Sequence, residues 1–462
     1  MKVSVIGTGY VGLVSGVCLA EKGHEVVCVD LDPGKVERIN RADPPIHERG
    51  LDELLKKNAG THLRATTDLA TAVRESDLSL IAVGTPFKGD EIDLRYIRQA
   101  AADIGHALRD KAGYHVVIIK STVVPGTTEN VVLPELERAS GKKAGVDFGV
   151  GMNPEFLREG EAIEDFMSPD RIVLGGIDER TTDALAELYS VFPDVAKIRT
   201  TPRTAEMIKY TANSLLATMI SFSNEIGNLA AALGGIDVVE VMQGVHLDKR
   251  LTPILADGRR VTPGFTTYLE AGCGFGGSCF PKDVKALIAH GEKAGSSMRL
   301  LASVVAVNEK QPAKIIELIK KHHPSLAGLD VSVLGAAFKP GTDDIRESPA
   351  LPVIESLLAG DARVTVFDPI AIDALKAAYP SQNINYATEL GTAVASAGVI
   401  VIMTRWNEFK QVPALIAGRD PQPLVVDGRR MLQKTSVARY EGIGLAAAPA
   451  TPAQPPVESL KV

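Results

Sequence analysis

A chain of 462 residues exceeds the reach of one hydrophobic core, so two or three domains are expected. Hydrophobic residues make up 45% and charged residues 23%, and the net charge of −7 argues against nucleic acid or an anionic membrane as the main partner. Cys18, Cys28, Cys273 and Cys279 form no Cys-x-x-Cys and no Cys/His cluster with metal spacing, which points away from a disulfide framework or metal centre and towards a reducing, cytoplasmic setting.

The chain opens into an apolar strand, Val3 to Ile6, with no basic leader and no run long enough to span a membrane. The strand runs into Gly7-Thr8-Gly9-Tyr10-Val11-Gly12, then a helical segment, then the strand Glu25 to Val29 ending in Asp30. Strand, glycine turn, helix, strand and acid in that order predict a dinucleotide site. Gly7 makes the turn, Gly9 admits a pyrophosphate, Gly12 lets the helix pack, and the helix N-terminus supplies N–H donors. Asp30 can accept from ribose hydroxyls, which favours NAD over NADP, and Lys35 lies within reach of the same ribose.

Further apolar strands end in polar residues: Leu78–Val83 before Thr85, His115–Lys120 before Ser121 and Thr122, and Phe148–Gly151 before Glu155. Alternating strands and helices predict a doubly wound α/β sheet, with ligands beyond the carboxyl ends of its strands. From Thr204 to about Leu233 apolar residues recur at helical spacing, a length suited to a connector and a dimer-forming face, and Lys209 and Asn213 share one side at i, i+4. Gly272-Cys273-Gly274-Phe275-Gly276-Gly277-Ser278-Cys279 follows, and Cys279 falls where a loop gives way to a helical region through Val284–Val307. A thiol at a helix start meets N–H groups that favour the thiolate. Near Ala327 a second α/β unit begins, without the three-glycine fingerprint but with Phe338 and Lys339 after its first strand. The expected domains are 1–200 for the dinucleotide, 201–310 helical with the cysteine loop, and 311–440 for a second nucleotide, with 447–462 a disordered Ala/Pro tail.

These pieces together resemble the UDP-glucose/GDP-mannose dehydrogenase family, the nucleotide-sugar 6-dehydrogenases. The resemblance covers roughly residues 1–435 and rests on the glycine turn, Lys120-Ser121-Thr122, Asn153 through Gly160, Pro169 through Ile172, Glu206 to Asn213, Gly274 through Asp283, Ala337-Phe338-Lys339 and Arg346-Glu347-Ser348. It implies two Rossmann-like domains joined by a long central helix, a homodimer or higher homo-oligomer, and oxidation of UDP-glucose to UDP-glucuronate by two NAD⁺. On matching positions Cys279 would be the nucleophile, Lys209 and Asn213 would stabilise an oxyanion, and Glu155, Thr122 and Asp283 would handle a proton or position water. Glu159, Lys282 and Arg346 would touch NAD, with Tyr10, Val11, Thr85 and Thr122 beside it. Glu155, Phe156, Leu157, Arg158, Lys209, Asn213, Arg260, Tyr268, Leu269, Gly272, Gly276, Phe338 and Lys339 would line the sugar-nucleotide site.

Two segments depart from the family pattern. His47-Glu48-Arg49-Gly50-Leu51 stands where Tyr-Glu-Pro-Gly-Leu is common, and Arg259 and Arg260 lie about three residues upstream of the family's arginine. GDP-mannose is the rival substrate within the family; Phe280 in place of leucine favours UDP-glucose. A non-catalytic NAD sensor on the same scaffold is the rival class, but it has no use for Cys279, Lys209, Asn213 and Asp283 together.

Overall fold

A computed structural model describes residues 1–447 apart from 90 and 381–382, so the expected tail lies almost wholly outside the described residues. The chain forms two compact units, one from 1–214 with 282–298 and the other from 215–281 with the chain from 299 on.

The first unit contains β1 (Lys2–Ile6), β2 (Glu25–Val29), β3 (Leu63–Thr66), β4 (Leu78–Ile81), a small hairpin of β5 (Phe87–Lys88) and β6 (Glu91–Ile92), β7 (His115–Ile119), β8 (Phe148–Met152), β9 (Arg171–Gly176) and β10 (Ala196–Thr200). Its main sheet runs β10-β9-β8-β7-β4-β1-β2-β3. Every pairing is parallel except β8 with β9. Strands β4, β7 and β8 are buried at every position, because helices cover both faces and leave no side for polar residues. The period of two sorts their side chains cleanly. Val3, Val5, Leu80, Val116 and Ile118 join one core, while Ile6, Ile81, Val117 and Ile119 join the other.

The second unit contains β11 (Asp330–Leu334), β12 (Arg363–Phe367), β13 (Ile384–Tyr386), β14 (Val399–Ile402), β15 (Leu424–Asp427) and β16 (Tyr440–Gly442). Its parallel sheet runs β13-β12-β11-β14-β15-β16, the doubly wound order of the first unit's core. The likeness extends to the first turn. Gly335 donates its N–H to Phe367 as Gly7 does to Val29, both at 2.8 Å. Asp368 accepts from Ala336 N–H at 2.8 Å much as Asp30 accepts from Thr8 N–H at 2.9 Å. Asp368 is spent in this role: its other oxygen takes the N–H groups of Ile370 and Ala371, and it is buried.

The two expected helical regions are present, with one correction. The first runs Pro202–Leu233. The helical region expected through Val284–Val307 is two helices, Phe280–Lys293 and Arg299–Lys320, interrupted where Gly295 takes φ +79°. Among the described residues no helix is long and apolar enough to cross a membrane.

Candidate active site

At the end of β1 the chain turns through Gly7 into the helix Tyr10–Glu21, whose N-cap is Gly9. A Cβ on Gly12 would lie 1.9 Å from the Gly7 carbonyl oxygen, so only glycine lets this helix start so close to the strand. A Cβ on Gly9 would meet nothing within 4 Å, which leaves open space beside a helix start with no side-chain cap. Open backbone donors of this kind suit a pyrophosphate.

Asp30 accepts from Thr8 N–H and, at 2.5 Å, from Thr8 Oγ1, and from Asp32 N–H at 3.0 Å. Burial pushes its carboxyl up, but these donors and Lys35 outweigh burial and hold it below the usual carboxylate range. It stays ionised and partly exposed, ready to accept from ribose hydroxyls. The fit to NAD therefore rests on a glycine cradle and an ionised acid at the right strand end. Lys35 is half-buried in the first turn of the helix Pro33–Asn40. Thr85 Oγ1 donates to the Thr122 carbonyl at 2.8 Å, which ties together the loops that follow β4 and β7.

Beyond β8, Glu155 is buried. Its carboxylate accepts from Leu157 N–H at 2.7 Å and pairs with Lys209 Nζ at 2.9 Å. Burial alone would raise this carboxyl; the Lys209 ammonium overrides it and keeps the carboxyl below its ordinary range. Phe156 stacks under the Arg171 guanidinium at 3.9 Å and lies 5.5 Å from Lys209 Nζ. Arg158 is exposed and ion-paired to Glu161 and Asp165; Leu157 and Glu159 beside it are partly exposed.

One turn along the same helix from Lys209, Asn213 Nδ2 donates to Asp283 Oδ2 at 2.7 Å, and Lys282 Nζ pairs with the other oxygen of Asp283 at 2.5 Å. Lys209, Asn213 and Asp283 are all buried, although each carries a polar or charged end. Groups of this type stay buried only when paired, and these are.

In the second unit the cysteine loop is held by its backbone. Gly272 N–H donates to Asn224 Oδ1 and Gln311 Nε2 donates to the Gly272 carbonyl. Asn308 brackets Phe275, accepting its N–H at 2.8 Å and donating to its carbonyl at 3.0 Å. Arg429 Nη1 donates to the Gly274 carbonyl at 2.9 Å, and Gly277 N–H donates to the Arg346 carbonyl. A Cβ on Gly276 would stand 2.1 Å from the Glu347 carbonyl oxygen. Cys279 is partly exposed and immediately precedes the helix Phe280–Lys293, whereas Cys273 is fully buried in the core. Phe338 packs against Gly277, Lys339 Nζ lies 5.9 Å from the Phe338 ring, and Tyr268 closes a short 3-10 turn with its ring 6.3 Å from Phe280. Leu269 packs on the core of this unit.

The structure thus groups Asp30 with the glycine turn, Glu155 with Lys209, and Asn213 with Lys282 and Asp283. In the second unit it groups Gly272, Gly276, Arg346 and Phe338 around the cysteine loop. Arg260 stands apart. Its Nη1 donates to the Leu247 and Thr252 carbonyls and to Thr252 Oγ1, so it staples its own segment. Arg259, beside it, is exposed and pairs only loosely with Asp257 at 3.7 Å.

Some supporting residues were not singled out from sequence. Glu48, in the segment that departs from the family pattern, accepts from Tyr10 OH and from the N–H groups of Gly160 at 2.6 Å and Ala162 at 3.0 Å. Lys120 is buried and donates to Asn153 Oδ1 at 2.7 Å. Asn224, Asn308 and Gln311 looked like ordinary polar positions on helices; only their hydrogen bonds to Gly272 and Phe275 reveal them.

Comparison with known proteins matches three sequence profiles of the UDP-glucose/GDP-mannose dehydrogenase family in order: the NAD-binding domain at residues 1–193, the central domain at 203–310 and the UDP-binding domain at 332–434. The chain is 40% identical to the UDP-glucose 6-dehydrogenase AglM of Haloferax volcanii, over 96% of this chain and 100% of that protein. It is also 40% identical to a GDP-mannose 6-dehydrogenase of Pseudomonas putida, again over 96% and 100%. A solved UDP-glucose dehydrogenase from Pyrobaculum islandicum superposes with a TM-score of 0.86 at 40% identity, covering 96% of this chain and 98% of that one.

Proposed function

Because this chain belongs to the UDP-glucose/GDP-mannose dehydrogenase family and is an NAD-dependent nucleotide-sugar dehydrogenase, we propose that its substrate is UDP-glucose and that Cys279 carries the oxidation to the acid. The balanced change is one sugar nucleotide, two NAD⁺ and one water to one UDP-glucuronate, two NADH and three protons. Bound NAD⁺ supplies the hydride acceptor for each two-electron step.

The chain's residues supply the rest. The C6 hydroxyl loses a proton as its hydride leaves, giving the aldehyde. The Cys279 thiolate adds to that carbon to form a thiohemiacetal. Loss of the second hydride leaves a thioester, and water displaces the thiol to release the carboxylate. Lys209 and Asn213, one turn apart on a rigid helix, supply a cation and an amide donor for the oxyanions of these steps. Glu155, held ionised against Lys209, is suited to accept a proton. Asp283, through Asn213 and Lys282, fixes two donor groups in place, and Thr122 positions water beside them.

The observation that carries this reading is two buried pairs along one helix, Glu155 with Lys209 and Asp283 with Asn213, an arrangement a non-catalytic nucleotide sensor does not need. The test compares NADH formation with UDP-glucose and GDP-mannose, in wild type and Cys279→Ser. Turnover with UDP-glucose that collapses in the variant, with NAD binding retained, is expected. Turnover with GDP-mannose alone refutes the substrate, and unchanged turnover in Cys279→Ser refutes the thiol.

A further inference from the structure

Glu206 lies on the helix Pro202–Leu233 one turn before Lys209 and two turns before Asn213, so the three share a face. Its side chain is completely buried. Among the described residues its carboxylate pairs with no cation; it accepts three hydrogen bonds from one loop. Oε1 takes Thr128 N–H at 2.8 Å and Thr128 Oγ1 at 2.7 Å, and Oε2 takes Gly126 N–H. That loop is the continuation of β7 through Lys120, Ser121 and Thr122, and it ends in a π-helical turn, Thr128–Val132. Two elements that carry proposed catalytic groups are therefore joined through one side chain that touches none of the reacting atoms.

We propose that Glu206 is a positioning residue that locks the Thr122 loop to the helix bearing Lys209 and Asn213, and that the lock is complete only when its carboxylate is ionised. An ionised carboxylate can satisfy all three donors; a protonated one presents an O–H that competes with them. The surroundings make that ionisation accessible near neutrality. Burial pushes the Glu206 carboxyl up to about 7, against the three donors that lower it, and Glu129 raises it further. Arg203 is paired with Glu129 at 2.7 Å rather than with Glu206, and Tyr210, on the same helix, is buried with its hydroxyl held un-ionised. Asp283 is the other acid that bears on Tyr210.

This inference rests on the proposed dehydrogenase reaction, and its test separates the two. Steady-state kcat and KM are measured against pH for wild type, Glu206→Gln, Thr128→Val and Thr128→Ser, with circular dichroism to confirm folding. In wild type, kcat falls with falling pH through a step near neutrality. Glu206→Gln removes that step and leaves a low, flat kcat. Thr128→Val deletes one donor to the charged form and moves the step up by about one pH unit, the worth of one charge-assisted hydrogen bond. Thr128→Ser keeps the donor and leaves the step in place. Should Glu206→Gln fail to fold, the two Thr128 variants decide the matter alone. A step that does not move in a folded Thr128→Val, or that survives in Glu206→Gln, overturns the inference while leaving the reaction intact. A wild type that reduces NAD⁺ with no nucleotide sugar overturns both.

Discussion

Lys120→Met is expected to invert its effect on stability with pH. Lys120 sits just past β7, is 5% exposed, and donates to Asn153 Oδ1 at 2.7 Å and to Tyr189 OH at 3.4 Å. Burial pushes its ammonium down to about 8, with Glu155 opposing and Lys209 adding to the shift. A lysine whose folded pKa lies below its unfolded one loses its proton first in the folded state, so stability rises with pH between the two values. From the ordinary value of 10.5 down to about 8 is 10.5 − 8 = 2.5 units, or about 3 kcal/mol at ~1.4 kcal/mol per unit. That cost of burying the charge is carried in full below about pH 8 and has vanished above about pH 10.5. Methionine has no charge to bury and forfeits the short hydrogen bond to Asn153 and the long one to Tyr189, together worth roughly 1–2 kcal/mol. Asn153 Oδ1 keeps Tyr189 OH as a donor at 2.6 Å, so it is not orphaned. The variant should therefore match or exceed wild-type stability at about pH 7 and fall below it by roughly 1–2 kcal/mol at about pH 10.5. Urea unfolding of both proteins at the two pH values measures this. A stability difference that is the same at both would refute the claim that Lys120 is buried as a strained ammonium.

Two further perturbations follow from the same geometry. Glu155→Gln leaves Lys209 and Lys120 buried without the carboxylate that offsets them, at a cost of roughly 3–5 kcal/mol at neutral pH; thermal unfolding shows this as a lowered midpoint that partly recovers on raising the pH, as Lys120 sheds its proton. Gly276→Ala places a methyl 2.1 Å from the Glu347 carbonyl, so the cysteine loop must move; kcat should fall at least ~10-fold, as measured by initial rates, because the thiol that the loop carries is displaced.

Much of this arrangement is legible in the sequence wherever local chemistry and global fold agree. Strands β1, β2, β4, β7 and β8 announce themselves as apolar runs because both faces are covered, and the turn from Gly7 to Gly12 has one physical reading once strand and helix flank it. Strand β10 is hard to see because it lies at a sheet edge with Lys197 and Arg199 among mostly exposed positions, and β3 because it spans four residues that include Arg64. The break at Gly295 hides between two apolar-periodic segments. Residues whose meaning depends on distant partners are illegible by nature. Lys120 reads as a strand-end cation until its burial against Asn153 is known, and Glu206 as a surface acid until Gly126 and Thr128, some eighty positions earlier, close on it. Arg260, expected at the sugar-nucleotide site only through the family resemblance, donates to Leu247 and Thr252, contacts that no local pattern announces.

The most direct test of the whole account is the count of NADH formed when UDP-glucose is consumed to completion with excess NAD⁺. Two per sugar nucleotide, with UDP-glucuronate as the product, is the expected result; a ratio of one, with the aldehyde released, would contradict an oxidation carried through a thioester on Cys279.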